Sequence, residues 1–297
     1  MRLITTYNDG DDLIEYLNTI NDFLMEHFEL YELIVVDDGS TDGTPERIKS
    51  KINLGGVSIT LVSMGLHQGL ELSMNAGVDI AIGDFVFEFD SVEITYDLDV
   101  ILKIYIQCLQ GSDIVAAVSD KNRNISSHIF YGIYNYVSKS SYKLQTDAFR
   151  ILSRRAINRV HSMSNTLPYR KAVYANCGLN VSNIHYTSVS ESKRRKEKQY
   201  RIRTAIDAFV LYTDLAYKLA SVFTVLMLAM TAGFSIYAII IRLQGIPVEG
   251  WTSTVLVICF SFFGMSLIVA IMTKYLELVL KTVFMNHKYT VRSVDKI

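Results

Sequence analysis

Along residues 1–115, short apolar runs alternate with longer segments whose apolar residues recur every three or four positions. Leu3-Ile4-Thr5-Thr6-Tyr7 reads as a strand, and Asn8-Asp9-Gly10-Asp11-Asp12 as the start of a helix, where acidic side chains suit the positive end of the dipole. The spacing of apolar residues then predicts a helix from Asp12 to about Phe28. Tyr31-Glu32-Leu33-Ile34-Val35-Val36 is a buried strand that runs into Asp37-Asp38-Gly39-Ser40-Thr41-Asp42-Gly43-Thr44. A helix, a strand (Ser58 to Val62), a helix (Glu71 to Ile82) and a strand (Asp84 to Phe89) follow. Such alternation predicts an α/β fold, a parallel sheet covered on both faces with ligands at the carboxyl ends of its strands. The loops rich in Asp, Asn and Gly fall at those ends.

A different pattern begins further on. Leu219–Ile241 and Gly250–Thr273 are uncharged runs of 23 and 24 residues. As helices each would reach roughly 35 Å, against about 30 Å for a hydrocarbon core, which predicts two membrane spans. The link between them is short, so the spans form a hairpin. Lys and Arg crowd the outer flanks, at 193–203 and 274–296, while Arg242 is the only basic residue in the link. That bias predicts a multi-pass protein with both termini cytoplasmic, as in a bacterial inner membrane. Tyr200 to Lys218 has the periodicity of an amphipathic helix lying at the membrane surface, or of a surface helix of the first domain. The expected organisation is a sheet domain over 1–192, a basic loop and juxtamembrane helix over 193–218, the hairpin over 219–273 and a cytoplasmic tail over 274–297.

Composition sharpens this division. The 55 residues from Leu219 to Thr273 carry two charges, whereas about 24% of the remainder is charged, as in an ordinary soluble domain. The net charge of −1 argues against nucleic acid as a partner. The three cysteines are far apart and the six histidines lack metal-ligand spacing, so neither a disulfide framework nor a zinc hydrolase is indicated. Met1-Arg2-Leu3-Ile4 leads into polar residues, unlike a signal peptide.

Val35-Val36-Asp37-Asp38-Gly39-Ser40-Thr41-Asp42-Gly43-Thr44 is the most informative string. A carboxylate at a strand end can accept hydrogen bonds from a base imide or ribose hydroxyls, and small residues after it let the backbone approach closely. The string resembles the signature of glycosyltransferase family 2, whose GT-A fold binds nucleotide-sugar donors. Thr5-Thr6-Tyr7-Asn8-Asp9 is similar to the family's opening P-x-Y-N-E, and Gly69–Gly77 to its G-x-x-x-A-x-N-x-G segment. Thr146-Asp147-Ala148-Phe149-Arg150-Ile151-Leu152-Ser153-Arg154-Arg155 resembles the D-x-x-F-R-L-x-x-R-R block of its polyprenyl-phosphate glycosyltransferases. That subgroup also ends in a juxtamembrane helix, two spans and a tail like His287-Lys288-Tyr289-Thr290-Val291-Arg292.

The resemblance implies a sugar passing from a UDP- or GDP-type donor to a polyprenyl phosphate, with inversion. It implies that Asp37 and Asp38 hold the nucleoside, with Thr5, Tyr7, Asn8, Asp9 and Ser40 lining its pocket. It also implies that Asp90 orients the diphosphate and binds Mg²⁺ or Mn²⁺, that Arg123 and Ser127 grip the acceptor phosphate, and that Arg150 contacts a phosphate. It further implies acceptor binding by Lys193 and Tyr200, which belong to the segment matching the subgroup's R-x-x-G-x-S-x-Y loop, one that closes over the donor. Homo-oligomerisation is left open. The chain departs from the family where Asp90-Ser91-Val92 stands for D-x-D, and where Lys196 and Lys198 replace Gly and Ser. Asp90 with a water-rich metal ion, basic side chains in place of the metal, and loss of activity are the alternatives. Two rivals follow: transfer to a saccharide hydroxyl with Asp147 as base, and an inactive membrane scaffold. A phosphate acceptor is already anionic and needs no general base, which fits the absence of an evident one.

Overall fold

The computed structural model describes residues 2–51, 58–120, 131–136, 142–163, 169–189, 215–244, 250–284 and 289–297. It divides into a unit of Met1–Ala205 with His287–Ile297, and a second unit of Ile206–Asn286.

The first unit is a sheet of eight strands with helices against it. In chain order the elements are β1 (Arg2–Thr6), α1 (Gly10–His27), β2 (Leu33–Asp37), α2 (Thr44–Lys51), β3 (Ile59–Met64), α3 (Leu70–Ile80), β4 (Phe85–Phe89), α4 (Asp99–Leu109), β5 (Ile114–Ser119), β6 (Asp147–Ser153), α5 (Arg154–Met163), α6 (Arg170–Asn176), β7 (Val181–Tyr186) and, after the second unit, β8 (Val291–Lys296). The spatial order is β7-β5-β6-β4-β1-β2-β3-β8. Strands β1 to β4 are mutually parallel where they pair, as the alternation predicts. Strand β6 runs antiparallel to both β4 and β5, and β8 runs antiparallel to β3.

The central strands are mostly apolar because helices cover both faces. Every residue of β2 and of β3 is buried. Helix α1 places Leu13, Tyr16, Leu17, Ile20, Phe23 and Leu24 on its buried face, at the three-to-four spacing of an amphipathic helix. Each such side chain contributes about 1.5–3 kcal/mol on burial. Helix α3 lies flush on β1 and β2: a Cβ on Gly77 would stand 2.0 Å from Leu3 Cδ1 and 2.9 Å from Val36 Cγ2. The last glycine of the Gly69–Gly77 segment is therefore a packing requirement. Phe89 stacks on Phe149 with centroids 4.8 Å apart and joins β4 to β6 beneath the edge that carries Asp90.

The second unit holds two long helices, α7 (Leu215–Leu243) and α8 (Trp251–Phe284). They approach closely where a Cβ on Gly264 of α8 would meet Met227 Sδ at 3.0 Å. Large apolar side chains face outward along both, among them Leu228 at 71% and Phe262 at 67% exposure. Among the described residues, no helix is long and apolar enough to cross a membrane, so the expected pair of spans gains no support there. The surface helix expected over 200–218 lies outside the described residues as far as 214.

Candidate active site

A cavity of about 590 Å³ opens at the carboxyl ends of β1, β2 and β3, lined by Tyr7, Asp37, Gly39, Ser40, Met64, His67 and Arg292 among others. The loop after β1 and the loop after β2 are tied together to form it. The Asn8 backbone NH donates to Ser40 Oγ at 2.9 Å, and Thr41 NH donates to Asn8 Oδ1 at 2.9 Å. These bonds hold Asn8 at a φ of 54°, a left-handed conformation that Asn tolerates better than most residues. Thr5 is buried in β1 and supports this edge from below.

The carboxylates of this region divide by task. Asp37, at the end of β2, accepts from Ser40 NH at 3.3 Å and faces the cavity. Burial pushes its pKa up, Ser40 pulls it down, and neighbouring Asp38 and Asp42 push it up again, so it ends above the ordinary carboxylate value. Asp38 is turned away: it accepts from Gln68 NH at 2.8 Å and Gly69 NH at 2.7 Å, with His67 Nδ1 2.9 Å away. It therefore organises the 67–69 loop, whereas Asp37 is the member of the expected pair that lines the cavity. Asp9 likewise accepts from Thr6 Oγ1 at 3.0 Å and Tyr7 NH at 3.3 Å and shapes the loop without lining the cavity. Gly39 lies between, at a φ of 73°, and a Cβ there would meet the His67 backbone nitrogen at 2.8 Å. His67 stacks on Tyr7, centroids 4.0 Å apart, and the sequence alone does not single it out.

Asp90, beyond β4, belongs to a second and closed cluster. Its Oδ2 accepts from Arg150 at 2.7 Å and its Oδ1 from Arg170 at 3.1 Å, while Lys171 Nζ stands 3.8 Å away. Arg150 spends its other nitrogens on Asp147 (2.8 Å) and Glu88 (3.0 Å). Arg170 reaches Glu88 at 2.6 Å and Glu71 at 2.9 Å, and Lys171 pairs with Asp147. Tyr174 donates to the remaining oxygen of Glu88 at 2.7 Å. Burial disfavours the charged form of Asp90, but Arg150, Arg170 and Lys171 outweigh it and hold the carboxyl well below the usual range. Asp147 is depressed in the same way, burial being overcome by Arg150 and Lys171.

This network bears on three expectations. Arg150, expected to contact a phosphate, is fully buried with every nitrogen bonded to a carboxylate. Asp147, ion-paired and depressed, is unsuited to act as a base. Mg²⁺ and Mn²⁺ take oxygen ligands, yet the one carboxylate at the D-x-D position has both oxygens held by guanidinium groups. Val92, in place of the second, is apolar and buried. Among the described residues, no group of three or more His, Cys, Asp or Glu side chains is arranged to hold a metal ion. Among the described residues, the side chains around Asp90 do not by themselves complete a site for a divalent ion. Arg123, Ser127, Lys193 and Tyr200 lie outside the described residues. Arg170 and Lys171 were not legible as site residues, because their partners lie up to 99 positions away.

The chain is 21% identical over 280 residues to the uncharacterized glycosyltransferase YkcC of Bacillus subtilis, covering 90% of this chain and 84% of that protein. It is 25% identical over 195 residues to the prophage bactoprenol glucosyl transferase homolog of Escherichia coli, covering 62% and 61%. It is 21% identical over 308 residues to the undecaprenyl-phosphate 4-deoxy-4-formamido-L-arabinose transferase of Edwardsiella ictaluri, covering 98% and 93%. Glucosyl-3-phosphoglycerate synthase from Mycobacterium tuberculosis, solved with Mn²⁺, UDP and phosphoglyceric acid, superposes with a TM-score of 0.51 at 14% identity over 70% of this chain and 76% of that one. That likeness supports the GT-A fold. Residues 3–160, the stretch containing the cavity loops, Asp90 and Arg150, match glycosyl transferase family 2. By that match the chain belongs to glycosyl transferase family 2, and it is a glycosyltransferase.

Proposed function

We propose that the protein transfers a sugar, with inversion, from a UDP- or GDP-linked donor to a polyprenyl phosphate at the cytoplasmic face of a membrane. The donor reading is supported by the cavity at the carboxyl ends of the parallel strands, where Asp37 offers an acceptor to the nucleoside and Gly39 lets the backbone come close. The phosphate-acceptor reading is carried by one observation: Asp147, the carboxylate best placed in sequence to activate a hydroxyl, is locked between Arg150 and Lys171. A hydroxyl acceptor needs a base to take its proton. A phosphate monoester does not. Its anionic oxygen attacks the anomeric carbon, the bond from that carbon to the donor phosphate breaks, and the nucleoside diphosphate leaves with the electron pair. The bactoprenol and undecaprenyl-phosphate relatives agree with such an acceptor.

Arg123 and Ser127 enter this reading from the sequence as the grip on the acceptor phosphate. Membrane attachment, and the hairpin of spans with cytoplasmic termini, rest on the uncharged runs and their basic flanks in the sequence. Incubating the full chain in lipid nanodiscs with polyprenyl phosphate and a panel of radiolabelled UDP- and GDP-sugars tests the reading, with and without divalent ions. Lipid-linked product from one donor is expected. No such product under any condition would overturn it.

A further inference from the structure

The segment after the helical unit returns to the sheet, and one of its side chains lines the donor cavity. Strand β8 pairs with β3 through Thr60↔Lys296, Leu61↔Asp295, Val62↔Val294 and Ser63↔Ser293, and then jumps to Met64↔Val291. The residue skipped by that jump is Arg292. It is the extra residue of a β-bulge, a device that re-aims a side chain and recurs beside active sites. Here Arg292 lines the same cavity as Asp37 and His67.

The bulge is fixed on both sides. Before it, Gly65 NH donates to the Thr290 carbonyl at 2.9 Å, and the Gln68 side chain bonds both backbone groups of Thr290, at 2.9 and 3.0 Å. Tyr289 donates to Asp79 at 2.7 Å. After it, Lys49 holds Asp295 at 2.8 Å, and Ile297 exchanges two backbone hydrogen bonds with Ile59. Arg292 itself is exposed and, among the described residues, has no ion-pair or hydrogen-bond partner. A rigid mount thus carries an uncommitted guanidinium at the mouth of a cavity whose opposite chemistry is the Asp37 carboxylate. Asp37 can accept a ring N–H, and a guanidinium can donate to the carbonyl beside it. Uracil and guanine present that pair of groups; cytosine and adenine do not.

We infer that Arg292 is a nucleotide-binding residue, donating from β8 to a base carbonyl of the donor and selecting uracil- or guanine-type nucleotides. The inference rests on the nucleotide-sugar reading above. It is tested by calorimetry on the full chain with UDP and GDP, and with CDP and ADP as controls, comparing wild type with R292Q, R292K and, on the same strand, K296Q. With the nucleotide that wild type binds, R292Q is expected to lose about ten- to hundredfold in affinity, the scale of a hydrogen bond to a charged group. The R292K variant should recover part of the loss, and K296Q should keep wild-type affinity. The loss should be equal for the diphosphate and for the bare nucleoside. Unchanged affinity in R292Q overturns the inference, and so does a loss confined to the diphosphate, which would place Arg292 on phosphate. Wild type binding none of the four nucleotides would overturn the donor reading itself.

Discussion

Two groups of carboxylates in the protein obey opposite rules. At the ends of β1 and β2, Asp37 is open to a cavity and carries a pKa raised by burial and by acidic neighbours. Around Asp90, four carboxylates (Glu71, Glu88, Asp90 and Asp147) enclose Arg150, Arg170 and Lys171, and the Asp90 and Asp147 pKa values are driven down. The Asp37 carboxylate accepts from Ser40 NH through both oxygens and still lines a cavity. The second group satisfies its charges among its own members. Carboxylates at one edge of a single sheet can thus stand in opposite electrostatic surroundings.

The strongest way to break the comparison is to remove a cation from the closed cluster. Replacing Arg170 by Met leaves Glu71, Glu88 and Asp90 short of a partner in the interior. Breaking a buried pair from one side costs about 3–5 kcal/mol. A large fall in thermal midpoint, followed by circular dichroism, is expected for R170M. An unchanged midpoint would show that the cluster is open to water and adaptable. Next in size, D37N should weaken UDP or GDP binding by about 1.5–3 kcal/mol, as for a hydrogen bond to a charged group, while the midpoint stays near wild type. Calorimetry and melting on the same sample separate the two effects, and a lowered midpoint with intact binding would reverse the roles assigned to the clusters.

The smallest effect is one of pH. Asp37, raised above its ordinary 3.8, takes up its proton first as pH falls, and nucleotide affinity should decline from that point. Asp90 and Asp147 have folded-state values below 3.8, so the stability they contribute is complete above 3.8 and is lost only as pH falls further. Binding should therefore fade at a pH where the melting temperature still holds. Affinity and midpoint declining together would erase the distinction.

Pattern alone reveals one cluster and hides the other. Strands β1 to β4 with α1 and α3 are legible because buried parallel strands and amphipathic helices each carry a local period. So is the loop after β2, because the turn demands glycine beside its carboxylates. Helix α4 is not assigned above, although Val100, Ile101, Ile104 and Cys108 form a buried stripe along it. The closed cluster escapes for a deeper reason. Arg150 meets Glu88 across 62 positions and Arg170 meets Glu71 across 99, so only the folded sheet brings the partners together. Glu88 can be placed on the face of Asp90 from the strand's two-residue period. That Arg170 would claim both carries no local signature.

The return of β8 to the sheet has a consequence for biosynthesis. Strand β3 must wait for its neighbour while the whole of Ile206–Asn286 is translated, so its outer edge stays unpaired during that interval. An unpaired edge is a template for wrong partners, and a closure this distant in sequence forms slowly. Until it forms, Arg292 is missing from the cavity. A chain stalled or cleaved between the helices would carry a sheet with a bare edge, a target for chaperones and proteases rather than a leaky enzyme.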